Sequence, residues 1–194
     1  MYSALKRTID IGASLALAPF ALPLCLVLLL AIRIESPGSP LFVQERVGRN
    51  RVPFKMLKLR TMRHDTANAA SHLVGAAQIT RLGAVLRKLK LDELPQLANI
   101  LSGSMSLVGP RPCLPNQLEL LEERTRRGVY SIRPGVTGAA QIRGIDMSDP
   151  ERLAEADAAY MRTASLSEDL AILARTFAGG GRGDAAAKQA QPWL

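Results

Sequence analysis

The stretch LDELPQLANILSGSMSLVGPRP, residues 91–112, decides both the fold and the chemistry expected of this chain. It opens with two adjacent carboxylates, Asp92 and Glu93, and closes with Arg111 between two prolines. The apolar run between them predicts one helix over residues 93–101, because a proline in its first turn is tolerated and Ser-Gly follows its end. A short helix therefore joins a carboxylate pair to a conformationally restricted arginine.

Two interpretations of Asp92 follow from this pattern. As the residue before the helix it is a candidate N-cap, whose carboxylate faces unpaired backbone donors and the positive end of the dipole. It also lies in a cationic setting, with Arg111 downstream and basic residues upstream at positions 81, 87, 88 and 90. A carboxylate that attacks a phosphate needs cations or Mg²⁺ to offset charge repulsion. The spacing alone leaves the cap and the nucleophile both open.

Composition narrows the class of partner. The 194 residues suffice for one modest domain with a buried core. The net charge of +8 favours a polyanionic partner, such as nucleic acid, anionic lipid or a phosphorylated substrate. Only 4% of the residues are aromatic, which argues against the base-stacking surfaces of single-strand-binding proteins. The two cysteines, Cys25 and Cys113, have neither a disulfide framework nor a metal-ligand spacing.

An uncharged run of 22 residues, Ile11 to Ile32, is long enough to cross the hydrocarbon core of a bilayer. Pro19 and Pro23 lie near its middle and favour a kink. Basic residues flank both ends, and eight basic residues against two acidic ones follow between positions 33 and 63. Since positive charge prefers the cytoplasmic side, a re-entrant helix that enters and leaves on that face is favoured over a straight span.

A cleavable signal peptide is the alternative for this run, because a basic start and an apolar core are both present. Pro19 directly follows the small residues at which cleavage would occur, and Asp10 so close to Lys6 and Arg7 is unusual in a signal sequence. We expect Arg7 and Asp10, one helical turn apart, to pair at the membrane interface while Lys6 reaches lipid phosphate. Together with Pro23, these are the predicted membrane-interface residues.

The rest of the chain predicts a hairpin, four more helices and a tail. Leu41–Val47 and Val52–Leu59 alternate as two strands around a turn. The basic residues of the second strand predict one cationic hairpin face: Lys55, Lys58 and Arg60. Apolar periodicity predicts helices over residues 78–90, 115–127, 148–163 and 170–177. Three consecutive glycines follow the last predicted helix, and a flexible tail is expected over 179–194. No ligand cluster supports a metal at His64 or His72.

Six segments in order resemble one family, the small monotopic phosphoglycosyl transferases. These are bacterial sugar transferases that start glycan assembly on a polyprenol phosphate carrier. The resemblance runs from residue 5 to about 177, nearly the whole chain. The matching segments are Lys6-Arg7-x-x-Asp10, the proline-broken apolar run, and residues 54–62, 91–97, 105–112 and 133–138.

The resemblance implies a two-step reaction. Asp92 would attack the β-phosphate of a UDP-sugar, releasing UMP and leaving a sugar phosphate on the enzyme. Polyprenol phosphate, in bacteria undecaprenyl phosphate, would then take that group. Glu93 would hold Mg²⁺, Arg111 would contact the uridine nucleotide, and Lys58 and Arg87 would be phosphate partners.

The resemblance also implies substrate contacts around the arginine and in a later loop. Pro110 and Pro112 would hold Arg111 in place, and Gln141 and Arg143 would contact the sugar or phosphate. The sequence departs from the family in three places: Leu22 stands where Ser often precedes the proline, Ala139 stands where Trp is usual, and a family arginine is missing at 145. Arg143, two residues away, is the candidate replacement. These departures concern the bend and the loop, not the carboxylate pair.

The expected fold is α+β and mainly helical. It combines an N-terminal re-entrant membrane helix (1–35), a catalytic domain (36–178) with a short β-hairpin and amphipathic interfacial helices around a cytoplasm-facing active site, and the tail. The expected location is the cytoplasmic face of the inner membrane, in contact with membrane lipid and downstream glycosyltransferases. A non-catalytic scaffold that binds anionic lipid and glycan-assembly enzymes is the alternative. A tethered nucleic-acid-binding domain is disfavoured, because no recognition helix or aromatic platform is present.

Overall fold

The computed structural model describes residues 2–63 and 78–180, where the chain is mainly helical with two short strand pairs. The helices are α1 (Tyr2–Glu35), α2 (Arg81–Leu89), α3 (Gln96–Leu101), α4 (Leu118–Arg126), α5 (Ala139–Ile142), α6 (Pro150–Thr163) and α7 (Leu166–Phe177), and the strands are β1 (Leu41–Val47), β2 (Pro53–Leu59), β3 (Ser106–Val108) and β4 (Gly135–Thr137). His64, His72 and the predicted tail beyond residue 180 lie outside the described residues.

α1 is 34 residues long and contains both Pro19 and Pro23. By length and composition it could cross a membrane, and only 11% of its most apolar 18-residue window is buried. Its middle exposes large apolar side chains: Leu15, Leu17, Phe20, Leu22, Leu26 and Val27. Both of its ends pack on the rest of the protein, because Asp10 and Ile32 are buried. Ile32 joins Leu59 and Leu86 in one apolar cluster.

The predicted hairpin is confirmed. β1 and β2 pair antiparallel, with Leu41 opposite Leu59 and Val47 opposite Pro53. The turn between them is a short 3-10 segment in which Asn50 has a φ of 56°. Asparagine tolerates this left-handed conformation better than most residues, so it suits the tight reversal.

The prediction of a single cationic hairpin face is wrong. Successive side chains of a strand point to opposite faces, so Lys55 and Lys58 diverge. Lys55 is exposed, whereas Lys58 turns toward the carboxylates. Arg60 is 8% exposed and donates to the backbone carbonyls of Ser36 and Pro37. The three cations therefore have three different environments.

α2 begins at Arg81, where the side chain of Thr80 accepts a hydrogen bond from the Gly83 amide at 2.9 Å. Gly83 permits close packing, because a Cβ there would lie 2.1 Å from the carbonyl oxygen of Thr61. The helix ends at Lys90, whose φ of 57° is left-handed. This reversal feeds the chain directly into a 3-10 turn at Leu91–Glu93.

The prediction of one helix over 93–101 with Asp92 as its N-cap is wrong. α3 begins at Gln96 and has no side-chain cap, with Pro95 at the cap position. Asp92 lies in the preceding 3-10 turn and is only 7% exposed. The turn after Lys90 rotates the carboxylate away from the helix end and into the protein. The capping interpretation of Asp92 is thereby excluded.

β3 and β4 form a parallel pair, with Ser106 opposite Gly135 and Val108 opposite Thr137. Three residues are too few to give an alternation that a sequence pattern can reveal. The two strands approach so closely that a Cβ at Gly135 would lie 2.1 Å from the Gly109 amide nitrogen. The pairing fixes the start of residues 110–112, hereafter the Pro-Arg-Pro loop.

The C-terminal helices pack behind this loop. The helix predicted over 115–127 is α4, which begins at Leu118, and the helix predicted to end at Thr163 does so as α6. α7 begins at Leu166, four residues before its predicted start, because the Ser165 hydroxyl caps it by accepting from the Glu168 amide at 3.2 Å. The largest buried cluster lies mainly among α4, α5 and α6: Val47, Cys113, Leu120, Leu121, Ala140, Leu153, Ala154 and Ala156.

Candidate active site

Three of the predicted site residues meet where the hairpin faces the 3-10 turn. Lys58 extends from β2, and its Nζ lies 2.9 Å from Glu93 Oε1 and 3.8 Å from Asp92 Oδ2. The side chains of Lys58, Asp92 and Glu93 are 15%, 10% and 12% exposed. One partly buried lysine thus lies within ion-pair distance of both carboxylates. Its charge offsets only part of theirs.

Burial raises the pKa of the Asp92 carboxyl above its ordinary value. The neighbouring Glu93 raises it further, whereas Lys58, Arg87 and Arg111 act in the opposite direction. Burial removes the water that would otherwise stabilise the charged carboxylate. A desolvated carboxylate amid cations is the environment expected of a group that must attack a phosphate.

Arg87 supplies a second cation from α2. Its Nε donates to the Thr61 hydroxyl at 2.8 Å, which fixes the direction of the guanidinium. Its Nη1 is buried and has no hydrogen-bond partner among the described residues. An unpaired buried donor on a charged group is costly, so this atom is suited to receive an oxygen of an anionic ligand.

Arg111 reaches the same carboxylates from the Pro-Arg-Pro loop. Its Nη1 lies 3.3 Å from Glu93 Oε1, and its side chain is 28% exposed. Glu93 Oε1 is therefore shared between Lys58 and Arg111. The two predicted substrate cations lie on either side of one carboxylate.

Two arginines that the sequence analysis did not select hold the loop itself. Arg46, on β1 and 8% exposed, donates from Nη1 to the carbonyl of Pro112 at 2.9 Å. Arg124, on α4 and 1% exposed, donates from Nη1 to the carbonyl of Arg111 at 2.8 Å. Arg124 is also paired with Asp157 of α6, at 2.6 Å from Nη2 to Oδ2. The sequence gives no signal for them, because each lies in an ordinary amphipathic pattern.

A depression opens between the hairpin, α3, the Pro-Arg-Pro loop and β4. We call it the Arg111 depression, and it is small and partly open to solvent. Its walls are Arg46, Met56, Lys58, Glu93, Gln96, Arg111, Pro112, Gly135 and Val136. Of the predicted substrate residues, Lys58, Arg111 and Pro112 line it, whereas Pro110 serves through its carbonyl, which accepts from the Gly135 amide at 2.9 Å.

Gln141 and Arg143 are not brought to this depression. Gln141 belongs to α5, and its Oε1 is a buried acceptor with no hydrogen-bond partner in the described part of the chain. Arg143 ends α5 and is exposed. Neither residue is among those that line the Arg111 depression, so their substrate roles stay predictions.

The predicted membrane-interface residues instead tie α1 to the folded domain. Lys6 Nζ lies 2.6 Å from Asp169 Oδ2, and Arg7 donates to the carbonyls of Ile100 and Leu101 at the end of α3. Asp10 accepts a hydrogen bond from the Leu107 amide at 3.1 Å. The structure thus gives Arg7 and Asp10 partners on α3 and β3 in place of the expected mutual pair.

Asp169 is the residue of α7 that this arrangement depends on. Besides Lys6, its carboxylate accepts from the hydroxyls of Tyr2 at 2.9 Å and Tyr160 at 2.5 Å. Three donors from α1 and α6 therefore converge on one carboxylate. This contact anchors the first turn of the apolar helix to the C-terminal helices.

Metal binding is limited by the donor set. Within residues 2–63 and 78–180, no group of three or more His, Cys, Asp or Glu side chains could hold an ion. Mg²⁺ is commonly bound by one or two carboxylates, with waters and substrate phosphates completing its shell. Glu93 is the carboxylate that would share such an ion with substrate phosphates, so the magnesium role of Glu93 stays a prediction.

Comparisons with known proteins identify the family to which the chain is similar. The family model described as bacterial sugar transferase matches residues 1–181. Over 181 residues the chain is 43% identical to a UDP-glucose:undecaprenyl-phosphate glucose-1-phosphate transferase of Caulobacter vibrioides, covering 88% of this chain and 67% of the relative. It is 39% identical to the exopolysaccharide production protein ExoY of Rhizobium meliloti, covering 89% and 83%.

A longer relative shows how much of such proteins this chain represents. It is a UDP-N-acetylgalactosamine-undecaprenyl-phosphate N-acetylgalactosaminephosphotransferase of Aeromonas hydrophila, 35% identical over 184 residues. The match covers 91% of this chain and 44% of that protein. The family model, by contrast, accounts for nearly all of the chain. The chain belongs to the bacterial sugar transferase family.

Proposed function

We propose that this protein transfers a sugar 1-phosphate from a UDP-sugar to undecaprenyl phosphate, through a covalent intermediate on Asp92, and so starts the assembly of an exopolysaccharide or related membrane glycan. The observation that carries the proposal is a desolvated Asp92 beside Arg87, whose buried Nη1 lacks a partner among the described residues. The names of the relatives supply the substrate classes, a UDP-sugar donor and an undecaprenyl phosphate acceptor.

In the first step, an oxygen of the Asp92 carboxylate attacks the β-phosphorus of the donor. A new P–O bond forms to the aspartate, and the bond to the bridging oxygen breaks, so UMP leaves with both bonding electrons. In the second step, a phosphate oxygen of the lipid attacks the same phosphorus, and the aspartyl P–O bond breaks. A covalent intermediate lets a water-soluble donor and a lipid acceptor use one site in turn.

The cations act on the charge that develops at phosphorus. Arg87 and Lys58 approach Asp92 from α2 and β2, so both can offset negative charge on the transferring group. Arg111 is positioned to bind the nucleotide through its planar fork of donors. A bound Mg²⁺, held by Glu93 and the donor's phosphates, would supply additional charge neutralisation.

We also propose that α1 is re-entrant, with both ends on the cytoplasmic face. The support is that Lys6, Arg7 and Asp10 near its start, and Ile32 and Glu35 near its end, all contact the same folded domain. The apolar middle between them is exposed. A straight span would place one of these contact sets on the opposite side of the membrane.

The topology is tested by labelling intact cells with a membrane-impermeant maleimide. Ser3→Cys and Ser39→Cys are introduced into a variant that lacks Cys25 and Cys113. We expect neither position to be labelled until the cells are permeabilised. Labelling of either site in intact cells would rule out the re-entrant arrangement.

The chemistry is tested by mass spectrometry of the purified protein, incubated with UDP-sugars and Mg²⁺ but without lipid acceptor. We expect the wild type to gain the mass of one phosphosugar for the sugar that it uses, and Asp92→Asn to gain nothing. UMP release over a panel of UDP-sugars identifies that sugar. A folded Asp92→Asn protein with normal turnover would disprove the covalent step and favour the non-catalytic scaffold.

A further inference from the structure

The side chain of Gln96 lies at the start of α3 and lines the Arg111 depression. It is 2% exposed, and its Nε2 has no hydrogen-bond partner in the part of the chain that the structure describes. Leaving a buried amide donor unpaired destabilises the folded protein. Such groups are rare in native proteins and call for an explanation.

The surroundings of Gln96 point to a ligand instead of a protein partner. The depression that it lines also contains Lys58 and Arg111, so its polar walls are rich in donors. The acceptor Glu93 Oε1 already receives Lys58 and Arg111. Such a cavity suits a ligand fragment that presents acceptor oxygens.

The position of the depression indicates which part of the donor substrate that fragment is. Glu93 and Arg111 line it, whereas Asp92 is not among the described residues that do. The depression therefore lies beside the attacked phosphorus, on the side of the Pro-Arg-Pro loop. Met56, Pro112 and Val136 give it apolar walls beside these donors.

We propose that Gln96 is a binding residue for the UMP half of the donor, and that its Nε2 donates to an acceptor oxygen of that half. This inference rests on the transferase function proposed above. The acceptor is either a carbonyl of uracil or an oxygen of the α-phosphate, since both present the same chemistry to an amide donor. Gln96 makes no contact with the sugar half in this proposal.

The test uses the full-length protein in detergent and titration calorimetry with UMP, CMP, uridine and glucose 1-phosphate. Gln96→Met keeps the shape of the side chain and removes its donor. We expect its affinity for UMP to fall about tenfold or more, with glucose 1-phosphate unaffected. Asn116→Ala, which removes an exposed amide, is the control and should bind UMP as the wild type does.

The ligand series distinguishes the two oxygens. Loss of UMP and uridine binding assigns the contact to a uracil carbonyl: to the 4-carbonyl if CMP binding is retained, because cytosine lacks that group, and to the 2-carbonyl if CMP binding is lost as well. Equal loss for UMP and CMP with uridine unchanged assigns it to the phosphate. Unchanged UMP affinity, or a loss confined to glucose 1-phosphate, would overturn the proposal.

Stability separates a binding role from a structural one. Because Gln96 Nε2 has no partner to lose among the described residues, Gln96→Met should unfold at the wild-type temperature or above it. A clearly lower unfolding temperature would mean that Gln96 supports the fold, and would overturn the proposal. A wild type that binds UMP through Gln96 but forms no phosphosugar adduct would disprove the transferase mechanism alone.

Discussion

Two arginines of this protein, the fully buried Arg124 and the partly buried Arg87, differ in what surrounds their guanidinium groups. Arg124 lies behind the Pro-Arg-Pro loop and is satisfied by Asp157 and by the carbonyl of Arg111. Arg87 lies beside the carboxylates, and its Nη1 has no partner among the described residues. Arginine therefore stabilises the loop in one region and offers an unpaired hydrogen-bond donor in the other.

The contrast teaches how rigidity and reactivity are divided in this site. Both successive carbonyls of the loop are held, by Arg124 at residue 111 and by Arg46 at Pro112. The carboxylate region keeps desolvated charges that are only partly compensated. Removing a satisfied group should mainly cost stability, whereas removing an unsatisfied one should mainly cost activity.

The largest expected effect is the loss of stability on substitution of Arg124. Arg124→Met leaves the Asp157 carboxylate buried without its cation and should lower the free energy of unfolding by about 3–5 kcal/mol. Adding Asp157→Leu should recover most of that loss, because an apolar pair can replace a buried ion pair. Chemical denaturation of the two variants measures both effects. A double variant no more stable than the single one would show that the pair contributes more than mutual neutralisation.

Arg87→Met tests the other side of the comparison. We expect turnover to fall about a hundredfold or more, as for the loss of one donor aimed at transition-state charge. The free energy of unfolding should fall only by about 1 kcal/mol, because the variant loses the one hydrogen bond from Nε to the Thr61 hydroxyl, whereas Nη1 has no hydrogen-bond partner to lose among the described residues. Initial rates of UMP release measure the first effect, and Arg81→Met, an exposed residue of the same helix, is the control. Equal losses of stability in Arg87→Met and Arg124→Met would remove the distinction between the two regions.

A smaller effect is expected for Arg111→Lys. Lysine keeps the charge but loses the planar fork, so the KM for the UDP-sugar should rise about tenfold with less change in kcat. Arg126→Lys is the matched control, because its side chain is 64% exposed. Steady-state kinetics at varied donor concentration separate the two constants. A kcat that falls as much as kcat/KM would assign Arg111 to the transition state instead of to nucleotide binding.

The smallest effect concerns the pH dependence of stability in metal-free buffer. Since the folded pKa of Asp92 is raised above its unfolded value, its stabilising contribution is present below the unfolded pKa and is lost as pH rises through the folded pKa. Asp92→Asn does not titrate there. It should therefore be at least as stable as the wild type at pH 7, with the advantage shrinking toward pH 4. An Asp92→Asn protein that is less stable than the wild type at pH 7 would contradict the burial argument.

The candidate site was predictable where charge is concentrated in short segments. Asp92, Glu93 and Arg111 stand within one stretch of 22 residues, and the structure brings Lys58 to both carboxylates and to the depression that Arg111 lines. Arg46 and Arg124 were missed because they bind backbone carbonyls of the loop, and a backbone carbonyl leaves no mark in the residue types of the sequence. The cap assignment of Asp92 failed because a left-handed Lys90 is not visible in a hydrophobic pattern.

The sequence by itself determined the elements whose cause is local. The apolar run of α1, the β1–β2 hairpin and helix α6 follow from periodicity and turn chemistry, and the structure contains all three. Only the tertiary structure decided which charges are compensated. Whether Arg87, Gln96 or Arg124 has a partner depends on groups 13 or more positions away or on none, and no local pattern in the sequence reveals such a contact. Whether a buried charge is compensated depends on its distance from other charges and on its desolvation, and both are set only when the chain packs.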